Sequence, residues 1–202
     1  MYKNGKNCEG QCLGCKTLSY PKRKMSHYLN GVVGVSQFTL NRHLAQGYFP
    51  KAKKEVIYTS VAPQVHELPY QRNNYITFGY IGRIHPTKGV TALVQAFNQI
   101  DRSQALQLVI AGDGDEDYLQ ACKAAAAGNA QIEFLGKVAA HDFYRAVDVV
   151  LISSAWHEPF PRVLVEAYAY GRPVLATPSG GTAEMIVEGQ TGFVYPLGHP
   201  SD

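Results

Sequence analysis

The sequence predicts an α/β fold: a Rossmann-like, doubly wound parallel sheet from about residue 75 onward, preceded by part of another domain. Two observations carry this prediction. From residue 75, short runs rich in β-branched residues alternate with helical stretches, which is typical of parallel strands buried on both faces. The charge also divides the 202 residues: residues 1–60 hold ten Lys/Arg against two Asp/Glu, and the rest hold nine against fourteen. With 46% hydrophobic and 17% charged residues the chain can bury a core, which excludes a disordered tail.

The first 62 residues are predicted to be the remnant of an N-terminal domain. Residues 1–30 are basic with weak periodicity, whereas residues 31–35 and 54–59 have the pattern of short strands. Ser36 is a favourable N-cap for a helix over residues 39–46. These elements predict a short βαβ-like unit. Residues 63–74 contain two prolines and no apolar period, so we expect a linker there.

The third segment, residues 75–202, carries the regular alternation. The predicted strands are residues 76–81, 106–111, 132–135, 149–152, 174–176 and 192–195. The predicted helices are residues 89–100, 116–127, 141–146, 162–170 and 182–187. In a sheet of this kind ligands bind where loops leave the carboxyl ends of the strands.

Three of the four cysteines cluster near the N-terminus, at Cys8, Cys12 and Cys15, and Cys122 lies in a predicted helix. A zinc site would need a fourth ligand, and the paired C-x2-C…C-x2-C pattern is absent. We therefore expect thiols in a reducing compartment and no metal.

The loop after the first large-sheet strand contains Gly82 and two cations, Arg83 and Lys88. Arg can grip phosphate oxygens in a bidentate fork, and Lys supplies a compact charge. A Lys in the first turn of the following helix would oppose the helix dipole, and a bound anion would remove that conflict. This loop predicts an anion site.

A Gly-x-Gly turn follows the second strand, from Gly112 to Gly114, and indicates close approach of the backbone to a ligand. The third glycine of the dinucleotide fingerprint is missing, and the turn does not follow the first strand. The P-loop pattern G-x4-G-K-[ST] does not occur. Binding of NAD or FAD is therefore not favoured.

The loop after the fourth strand carries two carboxylates, Glu158 and Glu166. Pro161 suits the first position of the next helix, which puts Glu158 in the loop and Glu166 inside the helix, both facing one crevice. The first amides of that helix, from residues 162–164, would bind an anion. The arrangement suits a diphosphate between two hydroxyl-rich groups. Gly180 and Gly181, after the fifth strand, again free the backbone to approach a ligand.

These motifs resemble a known family. Five of them follow in order: G-R-x4-K-G (Gly82 to Gly89), G-D-G, F-L-G-x-V (Phe134 to Val138), E-x7-E (Glu158 to Glu166), and G-G-x2-E followed by G-x-T-G. Together they are similar to the C-terminal, donor-binding domain of retaining glycosyltransferases with the GT-B fold, of the group 1 or GT4 type. The resemblance covers more than half of the chain, and residues 26–62 resemble the last part of the N-terminal domain in such enzymes.

The resemblance implies a role for each site residue. The donor would be a nucleotide-diphospho-sugar, a UDP- or GDP-sugar, with no cofactor and no metal. Arg83 and Lys88 would hold the diphosphate and stabilise the leaving group, Glu158 would contact the transferred sugar, and Glu166 would bind the ribose. The donor-binding set it implies is Gly82, Arg83, Lys88, Gly112, Lys137, Val138, Phe160, Pro161, Arg162, Val163 and Glu166, with Lys137 and Val138 near the base.

Two departures from the family pattern stand out. Pro161 occupies a position where glycine is usual, and since proline cannot donate an amide, that contact is lost or moves to Arg162. The acceptor-binding bulk of the N-terminal domain and the C-terminal helix are absent from this sequence. We therefore expect a truncated chain that supplies donor binding only.

The implied reaction is transfer of a sugar, with retention of configuration, to a sugar or lipid-linked acceptor in polysaccharide, lipopolysaccharide or glycoconjugate biosynthesis. A non-catalytic nucleotide-sugar-binding module and a GT-B-fold sugar-nucleotide epimerase are the alternatives. Nucleic acid is disfavoured as a partner because the larger part is acidic. No apolar run approaches the ~20 residues of a membrane helix, and no signal peptide opens the sequence. We expect a cytoplasmic protein with at most weak peripheral binding to the inner membrane face.

Overall fold

The N-terminal residues form a small unit beside the main sheet. The computed structural model describes residues 2–3, 6–8, 10–61 and 74–195. An antiparallel pair, β1 and β2, precedes helix α1, and strands β3 and β4 pair in parallel on either side of helix α2 in the chain. The bounds are β1 Tyr2–Lys3, β2 Lys6–Asn7, α1 Leu13–Met25, β3 Gly31–Gly34, α2 Gln37–Leu44 and β4 Lys53–Val56. The predicted βαβ unit is confirmed, and Ser36 is the N-cap of α2, accepting a hydrogen bond from the Thr39 amide.

Helix α1 was not expected from the sequence. None of its residues is buried, and Leu13 and Leu18 are each 79% exposed. A helix that buries no face leaves little apolar period to detect. Its last turn carries Lys22, Arg23 and Lys24, a placement that the helix dipole favours.

The main body is a six-stranded parallel sheet with helices on both faces. Its strands are β5 (Ile76–Ile81), β6 (Leu106–Ala111), β7 (Ile132–Gly136), β8 (Val149–Ile152), β9 (Val174–Ala176) and β10 (Gly192–Val194). The connecting helices are α3 (Val90–Phe97), α4 (Glu116–Ala126), α5 (Ala140–Ala146) and α6 (Arg162–Ala169). The doubly wound α/β prediction is thereby confirmed.

The strand order creates one crevice. The order is β10-β9-β8-β5-β6-β7, so the chain moves outward from β5 through β6 and β7 and then returns to β8 on the other side of β5. The loops after β5 and β8 leave the sheet side by side and run to opposite faces. This is the switch point at which ligands bind in open α/β sheets.

Two apolar clusters, one on each face, hold the helices to the sheet. Along β6 the side chains alternate: Leu108 and Ile110 pack into the cluster with α3 and α4, and Val109 and Ala111 into the cluster with α5 and α6. Burying an aliphatic side chain of this size contributes about 1.5–3 kcal/mol. Helices on both faces therefore anchor the strands whose carboxyl ends form the crevice.

One predicted segment has a different structure, and another lies almost entirely outside the described residues. The helix expected over residues 182–187 is a single 3-10 turn, Ala183–Met185, because Thr182 closes back on Ser179 before it and residues 187–191 form another turn after it. The linker expected over residues 63–74 lies, except for Asn74, outside the described residues and stays a prediction.

Candidate functional site

The loops after β5 and β8 meet through an ion pair between two predicted site residues. Lys88 Nζ lies 2.5 Å from Glu158 Oε1, and the Glu158 side chain is only 7% exposed. The Ser154 hydroxyl donates to the same carboxylate oxygen at 2.6 Å. Lys88 also lies over the Trp156 ring, 5.7 Å from its centroid. The structure therefore brings Lys88 and Glu158 together at the switch point.

The backbone around Lys88 explains its position. Residues Pro86–Lys88 form a 3-10 turn, and Gly89 follows with a φ of 68°. The Thr87 carbonyl accepts from the Ala155 amide at 2.9 Å, and the Ser153 hydroxyl donates to the Lys88 carbonyl at 2.8 Å. Two segments far apart in sequence thus lock the lysine into one place.

The expected clash between Lys88 and a helix dipole does not arise. Lys88 precedes α3 and lies in the 3-10 turn, outside the first helical turn. The Glu158 carboxylate pairs with the Lys88 ammonium group, so the protein itself supplies an anion for the lysine, where the sequence suggested a bound ligand.

Arg83 lies on a second part of the crevice, a cavity of about 580 Å³ at the ends of β5, β6 and β7. Five predicted donor-binding residues line it: Gly82, Arg83, Gly112, Lys137 and Val138.

One cation of this cavity already has a partner. Lys137 Nζ pairs with Asp113 Oδ2 at 2.6 Å, and the hydrogen bond and charge of Asp113 raise the pKa of Lys137. Sequence reasoning missed Asp113 as a partner, although its place in the G-D-G turn was visible.

The glycines of the G-D-G turn serve chain packing. A Cβ on Gly112 would overlap the Gly82 carbonyl, and one on Gly114 would overlap the Ile84 carbonyl. The Ile84 amide donates to the Asp113 carbonyl at 2.7 Å. The turn therefore lies close against the loop after β5, and its three residues also line the cavity.

Glu166 lies inside α6, as predicted, in a hydrogen-bond network separate from that of Glu158. The Tyr144 hydroxyl donates to Glu166 Oε2 at 3.0 Å, and Arg162 Nη2 donates to Oε1 at 3.1 Å. Desolvation, with the Glu166 charge beside it, raises the pKa of Tyr144 well above its ordinary value. Sequence reasoning missed Tyr144 because it reaches Glu166 from α5.

The start of α6 differs from the prediction by one position. Pro161 is the N-cap and not the first helical residue, and the Leu164 amide donates to its carbonyl at 3.1 Å. The Leu164 amide is therefore not part of the expected anion site, and the Arg162 side chain turns back to Glu166. Phe160 stacks on Tyr58, with ring centroids 5.8 Å apart.

A second cavity of about 470 Å³ lies between the N-terminal unit and the loop after β8. Two buried nitrogens of residues that line it, Trp156 Nε1 and His157 Nδ1, have no hydrogen-bond partner among the described residues. The Asn7 side chain holds the adjacent backbone, donating to the Ala155 carbonyl at 2.8 Å and accepting from the His157 amide at 2.9 Å. Sequence reasoning singled out none of these residues.

The cysteines lie at two places, near the N-terminus and in α4. Cys12 Sγ and Cys15 Sγ lie 3.4 Å apart, whereas Cys122 is buried in α4. Within residues 10–61 and 74–195, plus the short segments before them, no three His, Cys, Asp or Glu side chains cluster as metal ligands. Over the same residues, no helix has both the length and the apolarity of a membrane span.

Comparison with known proteins decides the family. The sequence profile described as "Glycosyl transferases group 1" matches residues 67–202. The chain belongs to this family of glycosyltransferases. The resemblance to group 1 glycosyltransferases with the GT-B fold is thereby confirmed at the level of the family.

Individual relatives of this group 1 glycosyltransferase agree. A lipopolysaccharide 1,2-N-acetylglucosaminetransferase of Salmonella typhimurium is 33% identical over 56% of this chain and 33% of its own length. A GDP-mannose-dependent alpha-mannosyltransferase of Mycobacterium tuberculosis is 32% identical over 76% of this chain and 36% of its own. The structure of Anabaena HepE in complex with UDP superposes with a TM-score of 0.76 and 25% identity, over 92% of this chain and 55% of HepE. The chain thus spans from a third to about half of the length of these three proteins.

Proposed function

We propose that this group 1 glycosyltransferase chain binds a nucleotide-diphospho-sugar at the switch point and takes part in transferring its sugar, with retention of configuration and without a metal. The observation that carries the proposal is that the loop after β5 supplies both Lys88, paired with Glu158, and Arg83, which lines the cavity. Cations in such a crevice neutralise a diphosphate as it leaves, which is the charge that develops during sugar transfer.

The geometry supports a division of labour along the crevice. The cavity lined by Gly82, Arg83, Lys137 and Val138 is suited to the nucleotide, with Arg83 as the exposed cation for the diphosphate. Glu158, buried next to Lys88, would accept hydrogen bonds from the transferred sugar, and Glu166 from the ribose. Because the relatives are longer, acceptor binding would belong to the whole protein.

The relatives support a proposal for the chemical nature of the donor and the acceptor. One related structure contains UDP and one related enzyme is named for GDP-mannose, so we propose a UDP- or GDP-sugar donor. A sugar or lipid-linked acceptor in polysaccharide or lipopolysaccharide synthesis fits the lipopolysaccharide relative. The exposed basic turn at the end of α1 would allow weak binding to an anionic inner membrane face, with the protein in the cytoplasm.

A titration tests donor binding. The wild-type chain is titrated with UDP, UDP-glucose, GDP and GDP-mannose, beside Arg83→Ala, Lys88→Ala and the control Lys123→Ala on the exposed side of α4. Loss of a charge-assisted contact to phosphate should weaken binding by about ten- to a hundredfold in the first two variants. Circular dichroism checks that Lys88→Ala still folds. The proposal fails if no nucleotide binds, or if Lys123→Ala weakens binding as much as Arg83→Ala.

A further inference from the structure

We propose that Glu184 is a positioning residue, which clamps the start of helix α2 to the loop that carries Glu158. Glu184 is the acidic residue of the G-G-x2-E motif, to which neither the sequence analysis nor the proposed donor site assigned a role. The inference rests on the proposed function in one respect: it assigns Glu158 to the transferred sugar.

The Glu184 carboxylate accepts three hydrogen bonds from the N-terminal unit. The Gln37 amide donates to Oε2 at 2.8 Å, the Phe38 amide to Oε1 at 3.0 Å, and the Tyr58 hydroxyl to Oε2 at 3.1 Å. The first amides of a helix have no partner within the helix and carry its positive end. Helix α2 has no acidic residue in its own first turn, so a carboxylate 146 residues away in sequence supplies that charge.

The loop that leads to Glu184 is also bonded to the backbone of Glu158. The Gly181 amide donates to the Glu158 carbonyl at 2.8 Å, and Gly180 pairs with Glu158 as a short parallel bridge. A Cβ on Gly181 would lie 2.8 Å from Ser36 Cβ, and Ser36 is fully buried. The glycine pair therefore lies tightly between the N-cap of α2 and the Glu158 loop.

The N-terminal unit also contacts the two residues that follow Glu158 in the same loop. The Tyr58 ring stacks on Phe160 with an interplanar angle of 24°, and the Thr39 hydroxyl donates to the Pro159 carbonyl at 3.5 Å. Tyr58 therefore links Glu184 to Phe160 directly. Movement of α2 relative to the sheet would therefore displace residues 158–160.

This arrangement predicts which part of donor binding depends on Glu184. The cavity proposed for the nucleotide is lined by residues of the loops after β5, β6 and β7, and Glu184, α2 and residues 158–160 are not among them. Glu158 and Phe160 lie on the loop after β8, which is on the other side of β5 from β6 and β7. Loss of the clamp should therefore weaken recognition of the sugar and leave recognition of the nucleotide nearly unchanged.

Three variants of the full chain test the inference: Glu184→Gln, Glu184→Asp, and the control Glu188→Gln, an exposed glutamate on the same segment. Hydrogen exchange of residues 36–40 reports the clamp itself. Affinities for UDP and UDP-glucose, or for GDP and GDP-mannose where those bind, give the contribution of the sugar. Thermal unfolding monitors global stability.

In Glu184→Gln the side-chain NH2 group replaces one of the two accepting oxygens and faces a backbone N–H, which is also a donor. One hydrogen bond to the start of α2 is therefore lost, and hydrogen exchange at residues 36–40 should accelerate. The affinity gained by adding the sugar should fall by about tenfold, the scale of one lost hydrogen bond to a charged group. Glu184→Asp keeps the charge but shortens the reach, and should lie between wild type and Glu184→Gln. Glu188→Gln should match wild type.

Two results would overturn the inference: unchanged exchange at residues 36–40 in Glu184→Gln, or equal loss of nucleotide and nucleotide-sugar affinity that follows the loss of thermal stability. The second result would indicate a purely structural contact. A wild-type chain that binds no nucleotide would instead overturn the proposed function and the assignment to sugar recognition, while exchange would still decide whether Glu184 clamps α2.

Discussion

At the scale of single residues, the site depends on a carboxylate that is almost removed from water. An ionised group of this kind is costly to bury unless an opposite charge and further hydrogen bonds surround it. Glu158 receives both, from Lys88 and from the Ser154 hydroxyl. Lys88 keeps 30% of its side chain exposed, so losing the ion pair should be less costly for Lys88 than for the buried Glu158.

That asymmetry gives a prediction for stability. Lys88→Met should lower the free energy of unfolding by about 2–4 kcal/mol because it leaves a buried carboxylate without a cation. Glu158→Gln should cost less, since Lys88 can turn toward water. The exposed pair Lys137–Asp113 provides the control, and Lys137→Met should cost much less than Lys88→Met because solvent screens the exposed pair. Urea unfolding measures all three, and an equal cost for Lys88→Met and Lys137→Met would contradict the argument.

At the scale of elements, the turn that begins α3 depends on a residue without a side chain. Gly89 has a φ of 68°, which lies in the left-handed region, and a Cβ there would overlap the Ser153 carbonyl. Gly128, at the end of α4, has a similar φ of 80° but open space around the missing Cβ. Comparing substitutions at the two positions therefore separates the cost of a left-handed backbone from the cost of steric overlap.

We predict that Gly128→Ala costs about 1 kcal/mol, the strain of a left-handed alanine alone. Gly89→Ala should cost at least about 2 kcal/mol more, because the methyl group meets backbone that is held by β8. Chemical unfolding of both variants measures the difference. Equal costs would show that the Ser153 loop yields easily, and the locked geometry around Lys88 would then need revision.

How far the sequence could predict these elements follows from what each one buries. Strands β5, β6 and β8 bury residues on both faces of the sheet, so they appear as largely apolar runs, and α3 and α6 bury one face. Helix α1 buries no residue, so the sequence revealed only the basic character of this region and not the helix itself. The helix expected at 182–187 contains Glu184, whose partners Gln37 and Phe38 lie in another unit that local pattern cannot reveal.

For the candidate site as well, the sequence could predict the positions of residues but not their partners. Motif spacing placed Lys88, Glu158 and Glu166 on the correct loops and helix, because strand ends are detectable in the sequence. Their partners Ser154 and Tyr144 could not be assigned, since Tyr144 reaches Glu166 from a helix 22 residues away. Spacing locates a functional residue, whereas its charge environment depends on contacts between elements.

At the scale of the whole molecule, the basic N-terminal unit and the acidic sheet domain meet at the loop that carries the site. His157 lies on this contact. Its ring is 5.1 Å from that of Phe38, its backbone amide donates to Asn7, and Arg42 of α2 lies close enough to act on its charge. Desolvation, followed by Arg42, lowers the pKa of His157 below its ordinary value of 6.5. The folded chain therefore favours the neutral imidazole of His157 over the imidazolium.

The consequence is a stability that falls with acidification. Below about pH 6.5 the unfolded chain binds a proton at His157 more readily than the folded chain does, so the free energy of unfolding decreases as pH falls through that range and stays unaffected above it. His157→Gln should flatten this decrease, while His27→Gln, at an exposed histidine, should leave it unchanged. Urea unfolding of both variants and wild type at about pH 7.5 and 5.5 measures the slope. Equal pH dependence in His157→Gln and wild type would show that the contact between the two units tolerates the imidazolium. A steeper fall in His157→Gln would mean that the charged ring stabilises the contact, which reverses the sign argued from its burial and from Arg42.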